Sequence, residues 1–321
     1  LTPAAPAVEA VPEEEAQEAA GPETATERAC EAPAAAEIPP PAALDLLFKR
    51  EVDIERFPVV ESSLMDGRPV FPFALMTEWL GHGALHGNPG LYLHGLDDVR
   101  LVRRIQVGEE YKLIRLMAGK ARRNGAVYEV DVELRNGVKE NEEVIHSRAR
   151  AILTETPHQE PPFFSPPLDI RVKSYARSTD EIYETILPLG EELRGIREIM
   201  SCSPKGIIAR IISAPPPDRW MAEPLRSRWI GDPLVLDSAF QMVTVWTHEQ
   251  KGMLSLPNYG AAYRQYRAGF PENGVTAVFE VTGAGDDIVT GNFTFLDAGN
   301  EVVAQLLGYE AAMVQPAGGQ S

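Results

Sequence analysis

The order of predicted elements repeats along this chain of 321 residues. In each half, one apolar helical segment comes before a series of short strands separated by turn residues. The first helix is predicted over 72–85, with Pro72 in its first turn. The second is predicted over 237–249, with Asp237 as its N-cap. Each half therefore predicts an antiparallel sheet that wraps around one buried helix.

The strand pattern is clearest in the first half. Apolar and acidic residues alternate over 128–134, which predicts a strand with one face in water. The preceding Asn124-Gly125 pair is typical of a tight hairpin turn and follows a strand predicted over 111–121. A third strand is predicted over 144–153. Three consecutive antiparallel strands follow from this order.

The second half repeats the plan after a proline-punctuated connector. Its strands are predicted over 207–213, 259–267, 275–282, 288–296 and 301–309. The domain boundaries that we expect are a leader over 1–42, a first folded unit over 43–155, a connector over 156–170, a second unit over 171–312 and a tail over 313–321.

Charge and composition exclude several functions. The net charge is −17, and the leader alone holds nine glutamates against one arginine within an Ala/Pro/Glu-rich tether. An acidic surface disfavours nucleic acid and anionic lipid as partners. No apolar run is long enough to span a membrane. With two cysteines and no secretory signal, we expect an excised piece of a longer cytoplasmic polypeptide.

Two short motifs carry the functional information. Gly67 is followed five positions later by Pro72, while Ser63 stands four positions before the glycine. Asp237 is followed one helical turn later by Gln241. These residues resemble the two motifs of polyketide synthase dehydratase domains, in which a histidine occupies the position that Ser63 holds here.

Further segments extend the resemblance to about residues 45–312. Residues 187–196 are similar to the opening of the family's second unit, and the strand that contains Tyr263 fits a later motif. Relatives include the dehydratase-like regions of polyunsaturated fatty acid synthases. The resemblance implies an α+β double hotdog, with Gly67, Pro72 and Tyr263 along a substrate tunnel.

The resemblance also implies a chemistry. In the family, the histidine takes the proton alpha to a thioester and the aspartate assists loss of the beta-hydroxyl as water, with no cofactor. Here Asp237 and Gln241 match the catalytic positions, and Ser63 marks the place of the missing base. An unassisted serine hydroxyl holds its proton too tightly to replace an imidazole near neutral pH.

The six histidines offer no evident substitute. His82 and His86 share a helix face and so could hold a metal ion, but the spacing shows no third ligand and we predict no metal site. We expect both to line the far end of the helix. His146 is predicted on a solvated sheet face, and His94 on the surface.

Three interpretations stay open. The first is a dehydratase-like domain of a polyketide or fatty acid synthase that lacks its base and serves acyl-chain binding, carrier docking or dimer architecture. The second is an active dehydratase with altered catalytic residues. The third is a free-standing hotdog thioesterase or an unrelated binding barrel. The resemblance implies an acyl carrier protein, neighbouring synthase domains and an acyl thioester as partners, and it leaves a homodimer open.

Overall fold

The described part of the chain covers most of its length. The computed structural model describes residues 44–108, 112–136, 143–171 and 174–316. The leader predicted over 1–42 lies outside these ranges, and so do residues 317–321 of the predicted tail. Within the described residues, no helix is both long and apolar enough to cross a membrane.

The first half is built around helix α1 (Phe73–His86), which is buried along nearly its whole length. Its strands are β1 (Asp45–Val52), β2 (Leu64–Met65), β3 (Arg68–Pro69), β4 (Tyr92–Leu101), β5 (Lys112–Ala118), β6 (Arg122–Asn124), β7 (Val127–Asn136) and β8 (Ile145–Thr154). Helix α1 packs against β4, β5, β7 and β8. The alternation predicted over 128–134 is present, because Val130, Val132 and Leu134 are fully buried.

Two short helices connect the halves. They are α2 (Leu168–Arg171) and α3 (Thr179–Thr185). Helix α3 begins with a capping box, in which the Ser178 hydroxyl accepts from the Glu181 N–H and the Glu181 carboxylate accepts from the Ser178 N–H. This box satisfies two backbone groups that the helix start would otherwise leave unpaired. It thereby fixes where α3 begins.

The second half is built around helix α4 (Pro233–Lys251). Its strands are β9 (Ile196–Ser203), β10 (Gly206–Ile211), β11 (Leu254–Gln265), β12 (Val275–Ala284), β13 (Ile288–Leu296) and β14 (Val302–Val314). Helix α4 packs against β9, β10, β11 and β12. The helix ends at Gly252, whose positive φ of 68° suits a residue without a side chain.

One antiparallel sheet runs through both halves. Its strand order is β1-β5-β7-β8-β4-β11-β14-β13-β12-β10-β9, and β6 pairs with β7. Strands β4 and β11 join the halves, with Tyr259 opposite Arg100 and Tyr263 opposite Leu96. Each half wraps its sheet around one helix, which confirms the prediction of an α+β double hotdog.

The two central helices contact each other as well as the sheet. The ring of Phe73 on α1 stacks on that of Phe240 on α4 at 5.8 Å, and Phe240 stacks on Tyr309 of β14 at 5.3 Å. These aromatic contacts belong to one hydrophobic core shared by both halves. The core therefore continues across the junction between β4 and β11.

Candidate functional site

Helix α4 begins earlier than the sequence predicts. Asp232 is its N-cap, since its Oδ1 accepts from the N–H groups of Leu234 and Val235 at 3.0 and 2.9 Å. Pro233 then occupies the first turn, where a backbone N–H would have no partner within the helix, so that proline loses no hydrogen bond there. The prediction that Asp237 caps this helix is therefore wrong. Asp237 lies in the second turn, with its carboxylate free of the capping role.

Asp237 is held by the residue one turn further on. Nε2 of Gln241 donates to Oδ2 of Asp237 at 2.7 Å. Burial raises the pKa of the Asp237 carboxyl to about 6, and the hydrogen bond from Gln241 opposes that rise. Asp237 can therefore carry a proton at mildly acidic pH, which an exposed aspartate does not do.

The Gln241 amide is itself fixed by two further contacts. The Tyr183 hydroxyl donates to Oε1 of Gln241 at 2.9 Å, and Nε2 also donates to the Leu193 carbonyl at 2.8 Å. The Tyr183 oxygen accepts in turn from the Ile196 N–H at 3.0 Å. These hydrogen bonds fix the orientation of the Gln241 amide, so that its NH₂ group points toward Asp237. Sequence reasoning missed Tyr183, because it belongs to no motif of the second half.

The first motif forms a tight turn before α1. Ser63 is half-buried and follows the 3₁₀ turn Pro58–Ser62, and its carbonyl accepts from the Val70 N–H at 2.8 Å. Gly67 lies exposed between β2 and β3 with a φ of 72°. Pro72 is buried as the N-cap of α1. None of the side-chain hydrogen bonds described for the chain involves the Ser63 hydroxyl.

Both motifs contact the same short segment, which consists of Gly190 and the turn Glu191–Leu193. The Gly190 N–H donates to the Ser62 carbonyl at 3.0 Å. At the other end of the turn, the Leu193 carbonyl accepts from Gln241, the residue that holds Asp237. The loop that carries Ser63 and the helix that carries Asp237 therefore contact the same four-residue segment.

A narrow cavity lies between α1 and α4. Its wall is mostly apolar, and Tyr263, predicted for the tunnel, is part of it. Gly67 and Pro72 do not line it, although the next residue, Phe73, does. Asp237 does not line the cavity, although its neighbour Leu236 does.

Glu78 places a second carboxyl group in this cavity wall. Its two oxygens accept from the Ile230 and Gly231 N–H groups at 2.5 and 2.8 Å. Burial raises the pKa of Glu78 to about 7, although these two bonds favour the ionised form. Sequence reasoning missed Glu78, because its partners are more than 150 positions away in the chain.

His82 lies one turn after Glu78 and is engaged elsewhere. Nε of Arg226 donates to Nδ1 of His82 at 2.9 Å. Burial and the nearby Arg226 charge lower the pKa of His82 to about 4, so the ring is neutral at physiological pH. Both His82 and His86 pack edge-on against Phe48. The described residues contain no group of three or more side chains placed to hold a metal ion.

Two other histidines differ from their predictions. His146 is buried, with its Nδ1 at 2.9 Å from the Arg103 carbonyl, so the prediction of a solvated face is wrong. The reason is that the chain following β4 folds over this part of β8. His94 is half-buried in β4, with Nδ1 at 3.1 Å from the Gln265 carbonyl, and is not a surface residue. Neither histidine contacts Ser63 or Asp237 through a described hydrogen bond.

Sequence comparisons identify relatives of this chain. The model of the polyketide synthase dehydratase N-terminal domain family matches residues 154–321, which is more than half of the chain. One of the component chains of the polyunsaturated fatty acid synthase from Thraustochytrium sp. is 25% identical over 219 residues, or 66% of this chain. The match spans only 8% of the length of that relative.

Solved structures show the same fold. A dehydratase domain of a trans-AT polyketide synthase from Brevibacillus brevis has a TM-score of 0.65 at 14% identity, covering 83% of this chain and 93% of its own. The dehydratase domain of PpsC from Mycobacterium tuberculosis has a TM-score of 0.64 at 16% identity, covering 84% and 93%. At these identities the likeness establishes the double hotdog fold.

Proposed function

This chain belongs to the polyketide synthase dehydratase family, and on that premise we propose that it is an acyl-thioester binding domain of a polyketide or fatty acid synthase that does not itself eliminate water. One observation carries the proposal. Asp237 has a hydrogen bond from Gln241, and by the resemblance of the first motif Ser63 occupies the position of the family's histidine base.

The missing base has a large effect on the expected rate. A positioned general acid or base contributes about 10²- to 10⁴-fold to a proton-transfer step. The proton alpha to a thioester needs a base whose pKa is near the working pH, and the Ser63 hydroxyl has no described partner that would activate it. His82, a histidine of α1, has its Nδ1 occupied by Arg226. Acid assistance from Asp237 alone does not remove the alpha proton.

The cavity supports the binding half of the proposal. Phe73, Leu96, Leu236 and Leu306 give it an apolar wall that suits an acyl chain, while Tyr263 and Glu78 add polar groups. We propose an acyl carrier protein as the donor of that chain and neighbouring synthase domains as partners. The similarity to part of a large fatty acid synthase supports both partners.

An active dehydratase is the second candidate, and Glu78 favours it. Glu78 and Asp237 both have a pKa near neutrality, about 7 and about 6, because both are buried. Two carboxyl groups with raised pKa values can divide acid and base roles when both face the bound substrate. In that case Glu78 would take the alpha proton and Asp237 would protonate the leaving hydroxyl.

The two candidates are separated by one experiment. The full chain is incubated with 3-hydroxydecanoyl-N-acetylcysteamine, binding is measured by calorimetry, and loss of water is followed by mass spectrometry. We expect binding and recovery of the intact ligand. Turnover that disappears in Asp237→Asn but persists in Asp286→Asn, a change at an exposed turn, would establish the active dehydratase instead.

A further inference from the structure

An open groove lies beside the C-terminal end of α1. Its wall includes His86, Tyr92, Arg226, Arg228 and Trp229, and we call it the basic groove. No aspartate or glutamate is among the described residues that line it. The chain as a whole has 47 acidic residues against 30 lysines and arginines. The charge of the groove wall is therefore opposite in sign to that of the whole chain.

Arg226 is held in this wall without losing its charge. Its Nε donates to Nδ1 of His82 at 2.9 Å, and the His82 ring is neutral because burial and the Arg226 charge lower its pKa to about 4. A carboxylate in this place would neutralise the guanidinium, whereas a neutral imidazole orients it and leaves its positive charge. The two terminal nitrogens of Arg226 bond to no described residue, so they are available to a ligand.

One buried carboxyl group lies within range of the Arg226 charge. That charge opposes the rise in the pKa of Glu78. The Glu78 oxygens accept from the Ile230 and Gly231 N–H groups at 2.5 and 2.8 Å, and Glu78 does not line the basic groove. No ion pair described for the chain involves Arg226. Within the described part of the wall, an external anion therefore has no competitor for this guanidinium.

The segment Arg226-Ser227-Arg228 supplies the donors that phosphate groups bind. Both arginines and Ser227 are exposed and line the groove, and neither Ser227 nor Arg228 has a described side-chain hydrogen bond. The planar guanidinium fork matches two phosphate oxygens at once, and two such forks suit a diphosphate better than a single carboxylate. Tyr92, which is 43% exposed, adds an aromatic ring on which a nucleobase can stack.

We propose that the basic groove is a binding site for a diphosphate group, either free or as part of a nucleoside diphosphate. Arg226 and Arg228 bind the phosphate oxygens, and the Ser227 hydroxyl donates a further hydrogen bond. The site is separate from the cavity between α1 and α4, with which it shares Leu93 as a lining residue. It goes beyond the proposed function and does not depend on it.

The test measures the binding of pyrophosphate and of ADP to the full chain by calorimetry, in a buffer free of phosphate and thioester. We expect both to bind, and more weakly as the salt concentration rises. Tighter binding of ADP identifies a nucleotide as the ligand, and equal binding identifies the diphosphate itself. Arg226→Gln and Arg228→Gln should each weaken binding about 3- to 10-fold. Arg219→Gln, at an exposed position outside the groove, is the control. Binding of neither ligand, binding of a hexaglutamate peptide in their place, or an equal loss in Arg219→Gln would overturn the inference.

Two variants of His82 test the role of the neutral imidazole. His82→Gln offers Arg226 a neutral acceptor, and His82→Glu offers a charged one of the same size. We expect the Gln variant to bind pyrophosphate like the unaltered chain and the Glu variant to bind it about 3- to 10-fold more weakly, because the new carboxylate pairs with Arg226. The melting temperature of each variant confirms that it folds. Equal affinities in the two variants would overturn the role of His82 in keeping the Arg226 charge available.

Discussion

The Gly190 N–H donates to the Ser62 carbonyl at 3.0 Å, and this bond attaches the first motif to the opening of the second half. The approach is close enough to exclude a side chain at position 190. A Cβ there would lie 2.7 Å from Cα of Ser62 and 2.8 Å from its Cβ. The glycine at position 190, within the segment 187–196 that resembles the family, is therefore explained by packing between two backbones.

Gly190→Ala should destabilise the protein by about 1 to 3 kcal/mol, because the Ser62 backbone must move to admit the methyl group. Urea unfolding measures the change. Gly87→Ala is the matched control, since nothing lies within 4 Å of a Cβ at position 87 and its φ of −82° suits alanine. Equal stability of the two variants would contradict the close packing at Gly190.

Ser63→His should introduce dehydration of a 3-hydroxyacyl thioester if the missing imidazole is the main defect. We expect a gain of up to about 10²-fold over the unaltered chain, followed as water loss by mass spectrometry. The gain should disappear in the Ser63→His/Asp237→Asn double variant, and Ser63→Ala should show none. A gain that survives Asp237→Asn would show that Asp237 plays no part.

Gln241→Leu should lower the free energy of unfolding by about 1 to 3 kcal/mol. The change leaves the Tyr183 hydroxyl and the Leu193 carbonyl without the amide partner that they have now. Urea unfolding measures this loss. Gln250→Leu on the same helix is the control, because the hydrogen bond described for that amide is a long contact of 4.0 Å with Sγ of Cys202. Equal losses in both variants would contradict the bridging role of Gln241.

Asp237→Asn should change how stability depends on pH. Asp237 has a pKa of about 6 in the folded protein against 3.8 for an ordinary aspartate, so the folded state binds the extra proton between these values. The contribution of Asp237 to stability is therefore full below about pH 4 and is lost as the pH rises through about 6. As the pH rises from 4 to 7, the free energy of unfolding of the variant should increase by on the order of 1 to 3 kcal/mol relative to that of the unaltered chain.

Urea unfolding at several pH values checks this difference. Glu78 and Asp232 also have raised pKa values, about 7 and about 6, but both residues remain in the variant and their contributions cancel in the comparison. Asp286→Asn, at an exposed turn, is the control for the substitution itself. If the free energy of unfolding depends on pH in the same way for Asp237→Asn and the unaltered chain, the raised pKa of Asp237 is contradicted.

Some strands could not be predicted because pairing, and not local sequence, forms them. Strand β4 contains Gly95 and the Asp97-Asp98 pair, which are poor strand formers, and its pairing with β8 is irregular at both places. It is nevertheless the strand that joins the halves, since β8 and β11 satisfy its two edges. Tertiary pairing overrides residue preference here. The edge strands β1 and β9 were missed as well.

The sequence by itself determined the features that depend on neighbours along the chain. Periodicity identified both central helices and the antiparallel strands, and the four-residue spacing placed Gln241 beside Asp237. Only the tertiary structure decided the rest of the site. Glu78 meets Ile230 across 152 positions, and the cavity that Tyr309 lines is formed by residues from both halves. Such contacts arise when one continuous sheet closes around two helices, and no local pattern encodes which distant groups then lie together.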